Sequence, residues 1–433
     1  MMFKRMTRRE LIKKLGMAFI GCLGIAWLLK ISKSRAQDET FSKSAGVDMT
    51  ANSEKSKGGE SIIYHAKNGS PEQNTFKAIE MIGGIEKIIG KNDIVILKPN
   101  AQWWNQGMTN TNSMKAFIEL VLAIPGFTGE VIIAENHQCF GPKNNCNIRG
   151  WNTRMRNGEF NYNELIKYFR QKGHANVTKY HWIGGGSFGK DDTLKARILR
   201  PIKEAVKKLR GYRERKLVVH PRQGDGYVWT NIEYRYKGKK TKMSYPVFTS
   251  GFSGITIDFK NGAWKNGKYT SQPVKFINFA GLNHHSDFAG VTSSVKNYLG
   301  VIDMTCGNVV PEGYCSFHSI GVPGLGGAVG TFMNTIRRAD LNIVTAEWVG
   351  FASRTDPKLA ARTRSVIVST DPVALDYYGA KNILYPLGGL VRELNNPDNM
   401  DGPFRKYLEL CCNQGIGTLD ENKMVIKKFD FKE

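Results

Sequence analysis

At 433 residues, 41% of them hydrophobic, the chain is long enough for one large domain or two of ordinary size and apolar enough to bury a core. The formal net charge is +24; residues 1–36 supply +8 of it, which leaves +16 for the rest. Such an excess points to anionic ligands, phosphate-rich surfaces or polymers. None of the seven cysteines stands in a Cys-x-x-Cys pair, which excludes the spacing of a ferredoxin cluster or a zinc ribbon.

The N-terminus reads as an address. Thr7-Arg8-Arg9-Glu10-Leu11-Ile12-Lys13 is followed by an uncharged stretch, Leu15 to Leu29, and a small-residue site at Ser34-Arg35-Ala36. This resembles a twin-arginine export signal over residues 1–36. The uncharged stretch is shorter than the ~20 residues that span a bilayer, although an uncleaved signal would keep the protein at the membrane surface. The expected partner is therefore the twin-arginine export machinery, and the expected location is the periplasm or another extracytoplasmic part of a bacterial envelope. Nucleic acid is not an expected partner there. In that oxidising compartment Cys139 with Cys146 and Cys306 with Cys315 are the expected disulfides. The adjacent Cys411 and Cys412 would be strained if bonded to each other.

Residues 37–60 are polar and read as a disordered linker. Residues 61–433 read as an α/β domain. Ser61 to His65 is a strand, and Asn74 to Ile89 carries apolar residues at helical spacing. Asp93 to Leu97 is a buried strand ending in Lys98-Pro99-Asn100. Thr109 to Asn112 offers an N-cap for a helix from Ser113 to Leu122. Gly129 to Ala134 is a strand that delivers Glu135, Asn136 and His137. Asn161 to Gln171 reads as a helix and Val177 to Trp182 as a strand. This alternation predicts a mostly parallel sheet with flanking helices. Thr193 to Arg210 then reads as one basic helix, and a β-rich insertion occupies about residues 211–273, with turns at Asn261-Gly262 and Asn266-Gly267. The α/β pattern resumes with strands at Val274 to Leu282, Leu341 to Ala346 and Ser365 to Ser369. The last runs into Thr370-Asp371-Pro372, a helix start. No internal repeat is present.

Several glycine and cysteine motifs admit two readings. Gly184 to Lys190 nearly fits a phosphate loop, but Asp191 and Asp192 stand where a hydroxyl should hold magnesium, so a glycine turn is the better reading. Gly321 to Gly327, before a helix at Val329 to Arg337, would either offer N–H groups to an anion or pack closely against the sheet. Cys306, Cys315 and His318 suit a metal as well as a disulfide beside a histidine. Asp371 is placed to cap a helix. Alternatively, Asp371 and Asp376 would complete a divalent-cation site with Glu135 or Glu347.

The chain is organised around Asn283 to Gly300, where a buried strand ends on His284, His285 and Asp287 and a small-residue turn leads to Lys296 and Asn297. Loops at strand ends are where α/β proteins hold ligands. Consecutive strand residues point to opposite sides, so one of the two histidines is expected to face such a site.

Several pieces together resemble family 362 of the domains of unknown function over about residues 61–390. They are Val95 to Asn100, the Thr-Asn run from Thr109, Asn283 through Val291-Thr292 to Lys296-Asn297 and Gly300, Asp340 to Val344, and Ser369 to Asp376. Some members of that family carry a ferredoxin-like cysteine domain, which this chain lacks. A looser similarity is to nickel-pincer lactate racemase, in the order of His285, Phe288-Ala289-Gly290 and Lys296. Ser294-Val295 replace the glycines before the racemase's lysine, so only the neighbourhood of lysine and histidine is carried over.

The resulting expectation is an exported enzyme for a small anionic, oxygen-rich substrate. Lys98, Lys296, His284 and His285 are its candidate catalytic residues, and Asn100, Thr109, Thr292 and Asn297 its candidate substrate-binding residues. Glu135, Asp371 and Asp376 would hold a divalent metal or orient the site. The alternative is a non-catalytic envelope protein that binds an anion or helps a redox complex mature, with the Lys203–Arg210 helix as its docking face.

Overall fold

The computed structural model describes residues 59–136, 151, 158–182, 186–188, 217–286, 290–303 and 313–432. In chain order the elements begin with β1 (Ser61–Lys67), α1 (Pro71–Ile82), β2 (Ile94–Lys98), α2 (Thr111–Leu122), β3 (Glu130–Glu135), α3 (Tyr162–Gln171), β4 (Val177–His181) and β5 (Gly186–Phe188). The insertion contributes β6 (Gly226–Tyr236), β7 (Lys239–Thr249), β8 (Thr256–Asp258), β9 (Gly262–Lys265) and β10 (Lys268–Tyr269). There follow β11 (Val274–His284), β12 (Val291–Thr292), α4 (Ser294–Asn297), α5 (Gly324–Thr335), β13 (Leu341–Gly350), β14 (Ala360–Ser369), α6 (Pro372–Gly379), α7 (Pro403–Cys412) and β15 (Met424–Asp430).

Ten strands form the main sheet, in the order β15-β1-β14-β13-β11-β2-β3-β4-β5, with β12 paired to β11 off that path. The run from β13 to β4 is parallel throughout, while β14 and β5 are antiparallel to their neighbours. The α/β class and the mostly parallel sheet therefore hold. The β-rich insertion is a separate antiparallel sheet, β10-β9-β8-β7-β6.

Both faces of the main sheet are covered, and alternate residues of each strand serve opposite layers, as the pleat requires. Val95 and Leu97 pack with Phe117 and Val121 of α2 and Leu165 and Phe169 of α3. Ile94 and Ile96 join the other layer, with Phe332 of α5, Leu375 of α6, Leu408 of α7 and Phe248 and Phe259 of the insertion.

Local chemistry explains where the boundaries differ from the sequence reading. α1 begins earlier than expected, because Ser70 and Gln73 form a capping box, and it stops at Ile82. Gly83 and Gly84 adopt φ of 108° and 94°, which ends the helix and leaves only a short 3-10 turn before β2. The glycines of the Gly321–Gly327 segment serve close packing: a β-carbon on Gly324 would strike the Tyr236 ring, and one on Gly326 or Gly327 would strike the Tyr407 carbonyl or the Tyr234 hydroxyl. Part of the Gly184–Lys190 segment is β5, an added strand rather than a turn. The expected basic helix at 193–210, His137, Cys139, Cys146 and Cys306 lie outside the described residues. Cys315, Cys411 and Cys412 are free thiols, so the expected bridge from Cys306 to Cys315 is not present. Among the described residues no helix is long and apolar enough to cross a membrane.

Candidate functional site

The strand order reverses direction between β2 and β11. From β2 the chain proceeds to β3 and β4 on one side; from β11 it proceeds to β13 on the other. Such a switch point leaves a crevice outside the carboxyl ends of the strands, the usual ligand position in open α/β sheets.

Lys98, the last residue of β2, stands at that crevice with 1% of its surface exposed. Its ammonium donates to the Pro99 carbonyl (2.8 Å), Asn297 Oδ1 (2.7 Å) and Glu135 Oε1 (3.1 Å). Three donors meet three acceptors, so the cation is fully satisfied. Glu135, at the end of β3, uses its second oxygen to accept from the Ala101 N–H at 2.7 Å. Burial raises the Glu135 carboxyl to about 7 against the pull of Lys98, and burial lowers Lys98 against the pull of Glu135. Desolvation penalises both charges and their mutual attraction offsets it. The neighbouring Asn136 ties β3 to the turn after α4 through the Leu299 and Ile302 carbonyls.

α4 carries Lys296 and is held at both ends. The Asp376 carboxylate accepts from the Ser294 N–H (2.7 Å) and the Val295 N–H (2.9 Å). A buried amide network continues underneath. Asn278 Nδ2 donates to Ser294 Oγ and to Asn342 Oδ1, and Asn297 Nδ2 donates to Asn278 Oδ1 and to the Lys98 carbonyl. Lys296 itself is only 7% exposed. Among the described residues no acceptor hydrogen-bonds its amine. Burial, then Arg354, then Lys98 push it down to about 7.

His285 follows β11, and its Nδ1 lies 2.8 Å from Thr292 Oγ and 2.9 Å from Arg354 Nη1. A guanidinium can only donate, so Nδ1 is an acceptor and the ring proton resides on Nε2. Burial, followed by Lys296, Arg354, His318 and His284, holds this imidazole well below its ordinary value. His285 is therefore neutral near pH 7, with its Nε2–H left as a donor. Arg354 lies 4.3 Å above the Trp103 ring and is lowered to about 10 by burial, so it stays charged.

These groups line a small, partly open pocket, about 280 Å³ with the solvent at its mouth included and about 20 Å³ of free interior, formed by Asn100, Gln102, Trp103, Glu135, His285, Thr292, Lys296 and Asn297. Lys98 and Arg354 stand immediately behind the lining. Three basic side chains, Lys296 in the lining and Lys98 and Arg354 behind it, thus outnumber its one carboxylate, which suits an anion. Asn297 faces the cavity, but its amide is already committed to Lys98 and Asn278.

Other residues singled out in the sequence lie elsewhere. His284 turns to the opposite side of the strand, where Nδ1 meets Asn395 Oδ1 at 2.8 Å. Thr109 is buried, accepting from the Asn100 N–H and donating to the Phe279 carbonyl, and so holds the loop that carries Asn100. Asp371 caps α6 through the Val373 and Ala374 N–H groups and accepts from Ser61 and the Thr418 N–H. Asp376 supports α4, and Glu347 accepts from Arg362. Glu135, Asp371 and Asp376 do not meet, and among the described residues no three His, Cys, Asp or Glu side chains form a group able to hold a metal. The expected carboxylate cation site is therefore corrected: each acid is spent on a lysine or on backbone N–H groups. Arg354, Trp103, Gln102 and Asn278 escaped the sequence reading, because none sits in a motif and Arg354 is distant in the chain from the histidine it meets.

The chain is thus an α/β protein with a polar, basic cavity at the switch point of its sheet. Residues 177–381 match the model of a family described as a domain of unknown function (DUF362), which supports the family resemblance read from the sequence. The match is shorter than the span expected from the motifs: it contains His285, Lys296 and Arg354 but not Lys98 or Glu135. Neither a curated protein nor a solved structure matches the chain.

Proposed function

We propose that the cavity binds a small anionic, oxygen-rich molecule and acts on it as an enzyme, by proton transfer. The observation that carries this reading is the buried amine of Lys296, which meets no acceptor among the described residues, in a cavity backed by Arg354 and Lys98. Simple anion capture needs only groups that stay charged. Here two lining residues, Lys296 and Glu135, are both brought to about 7, where each can give and take a proton. Arg354 supplies fixed positive charge, and His285 offers Nε2–H to a ligand oxygen. Thr292 and Asn100 are the neutral polar contacts, with Asn297 and Thr109 in support. The Arg8-Arg9 signal adds the proposal that this chemistry takes place outside the cytoplasm, at or beyond the membrane.

Titration of the full chain with acetate and with inorganic phosphate, followed by NMR or calorimetry, tests the reading. Saturable binding is expected, weakened at least about tenfold in Lys296→Met and in Arg354→Met, roughly the worth of one charge-assisted hydrogen bond. Absence of saturable binding, or affinity unchanged in both variants, would reject it.

A further inference from the structure

The next step rests on that reading of the cavity and adds a substrate class to it. We infer that Lys296 is a covalent nucleophile, forming an imine with a small acid that carries a carbonyl group beside its carboxylate: a 2-oxo acid or an aldehyde acid. The geometry separates this lysine from its neighbour Lys98. Lys98 spends all three donors on fixed acceptors, whereas the Lys296 amine meets none among the described residues. Glu135, the carboxylate lining the cavity, gives one oxygen to Lys98 and the other to the Ala101 N–H; it forms no ion pair with Lys296 but keeps a lone pair on each oxygen with which to accept a proton. A lysine buried beside Arg354 and Lys98 favours its neutral form, and a neutral, desolvated amine is a nucleophile toward carbonyl carbon. The turn that carries it is rigid, held by Asp376 and Asn278. A substrate carboxylate next to Arg354 would place a carbonyl within the same small space.

The step balances without an external oxidant or reductant. Nζ attacks the carbonyl carbon, and the C–N bond forms as the C=O π bond opens. His285 Nε2–H hydrogen-bonds the oxygen as it gains charge. Glu135 takes a proton from the attacking nitrogen and passes it to that oxygen. The nitrogen keeps its second hydrogen; one further proton, delivered from solvent through the Glu135 carboxyl, goes to the same oxygen, the C–O bond breaks, and one water leaves. The protonated imine then carries the single positive charge that the ammonium would have carried, offset by the substrate's own carboxylate.

The test uses glyoxylate with cyanoborohydride on the full chain near neutral pH, followed by peptide mapping. About half of Lys296 is neutral there, against on the order of one in a thousand for an exposed lysine. Lys296 should therefore be alkylated roughly a hundredfold faster than surface lysines, allowing for its weaker basicity. Acetate should protect it, and acetaldehyde, lacking the carboxylate, should label it more slowly than glyoxylate does. Lys296→Arg should remove the fast-labelling site, so that every remaining lysine is alkylated only at the surface rate. Labelling of Lys296 no faster than surface lysines overturns the imine. If acetate still binds in that case, the anion site survives and only the nucleophile is rejected; if acetate does not bind, both readings fall.

Discussion

Gly300 and Lys98 share a contact that tolerates no side chain between them. A β-carbon on Gly300 would fall within the van der Waals radii of Lys98 Cε and Nζ and 2.5 Å from Glu135 Oε1. The lysine cannot yield, because its ammonium is fixed by three hydrogen bonds in a buried position. Gly300→Ala is therefore expected to lose about 3 kcal/mol of stability, as overpacking combined with a disturbed buried ion pair. Urea unfolding measures it; a loss under about 1 kcal/mol would mean that the contact relaxes freely.

The ion pair predicts an asymmetric mutational cycle. Lys98→Met leaves the Glu135 carboxylate buried without its cation, which should cost about 3–5 kcal/mol. Adding Glu135→Gln removes the charge as well, so the double variant should recover at least about half of that loss. Additive losses in the same unfolding assay would show that the two side chains are not coupled.

The sequence carried the frame of the fold well, and the reason is periodicity. Val95, Ile96 and Leu97 or Ile343 and Val344 could only be strands buried on both faces, and Asp371-Pro372 could only open a helix. It also carried Lys98, Glu135, His285, Thr292 and Lys296, because strand ends are readable and ligands gather there. What it could not carry was orientation and long-range pairing. His284 and His285 are chemically identical on paper and separate only once β11 has a register. Asp376 looked like a metal ligand until its hydrogen bonds to the Ser294 and Val295 N–H groups appeared. Arg354 belongs to an irregular loop after β13 and meets His285 only in the folded chain.

Asp376 is predicted to act as a positioning residue for Lys296. Asn in its place keeps one oxygen acceptor but turns an N–H donor toward the second backbone N–H of α4. Asp376→Asn should cost about 2 kcal/mol. It should also weaken acetate binding while Asp376→Glu restores part of both. A purely structural carboxylate would lower stability in both variants and leave the acetate affinity of the folded fraction unchanged.

Lys296 finally predicts how the site responds to pH. Its folded-state value, about 7, lies below the ordinary lysine value, so between the two the unfolded chain holds more protons and stability rises with pH. That contribution is lost as pH falls through about 7. An anion prefers the protonated amine, so acetate affinity should fall as pH rises through the same value, by up to about tenfold per unit until the complex itself deprotonates. Glu135 ionises over the same range and acts in the same direction by adding negative charge. His285 and His318 are held far below it and stay neutral, while Arg354 stays charged. Imine trapping by glyoxylate needs the free amine and should first rise with pH where acetate binding declines. In Lys296→Met only the shallower slope due to Glu135 and to Asp376, whose carboxyl burial also raises to about 7, should remain. Acetate affinity flat across about pH 6 to about pH 8 in the native protein would remove Lys296 from the binding site altogether.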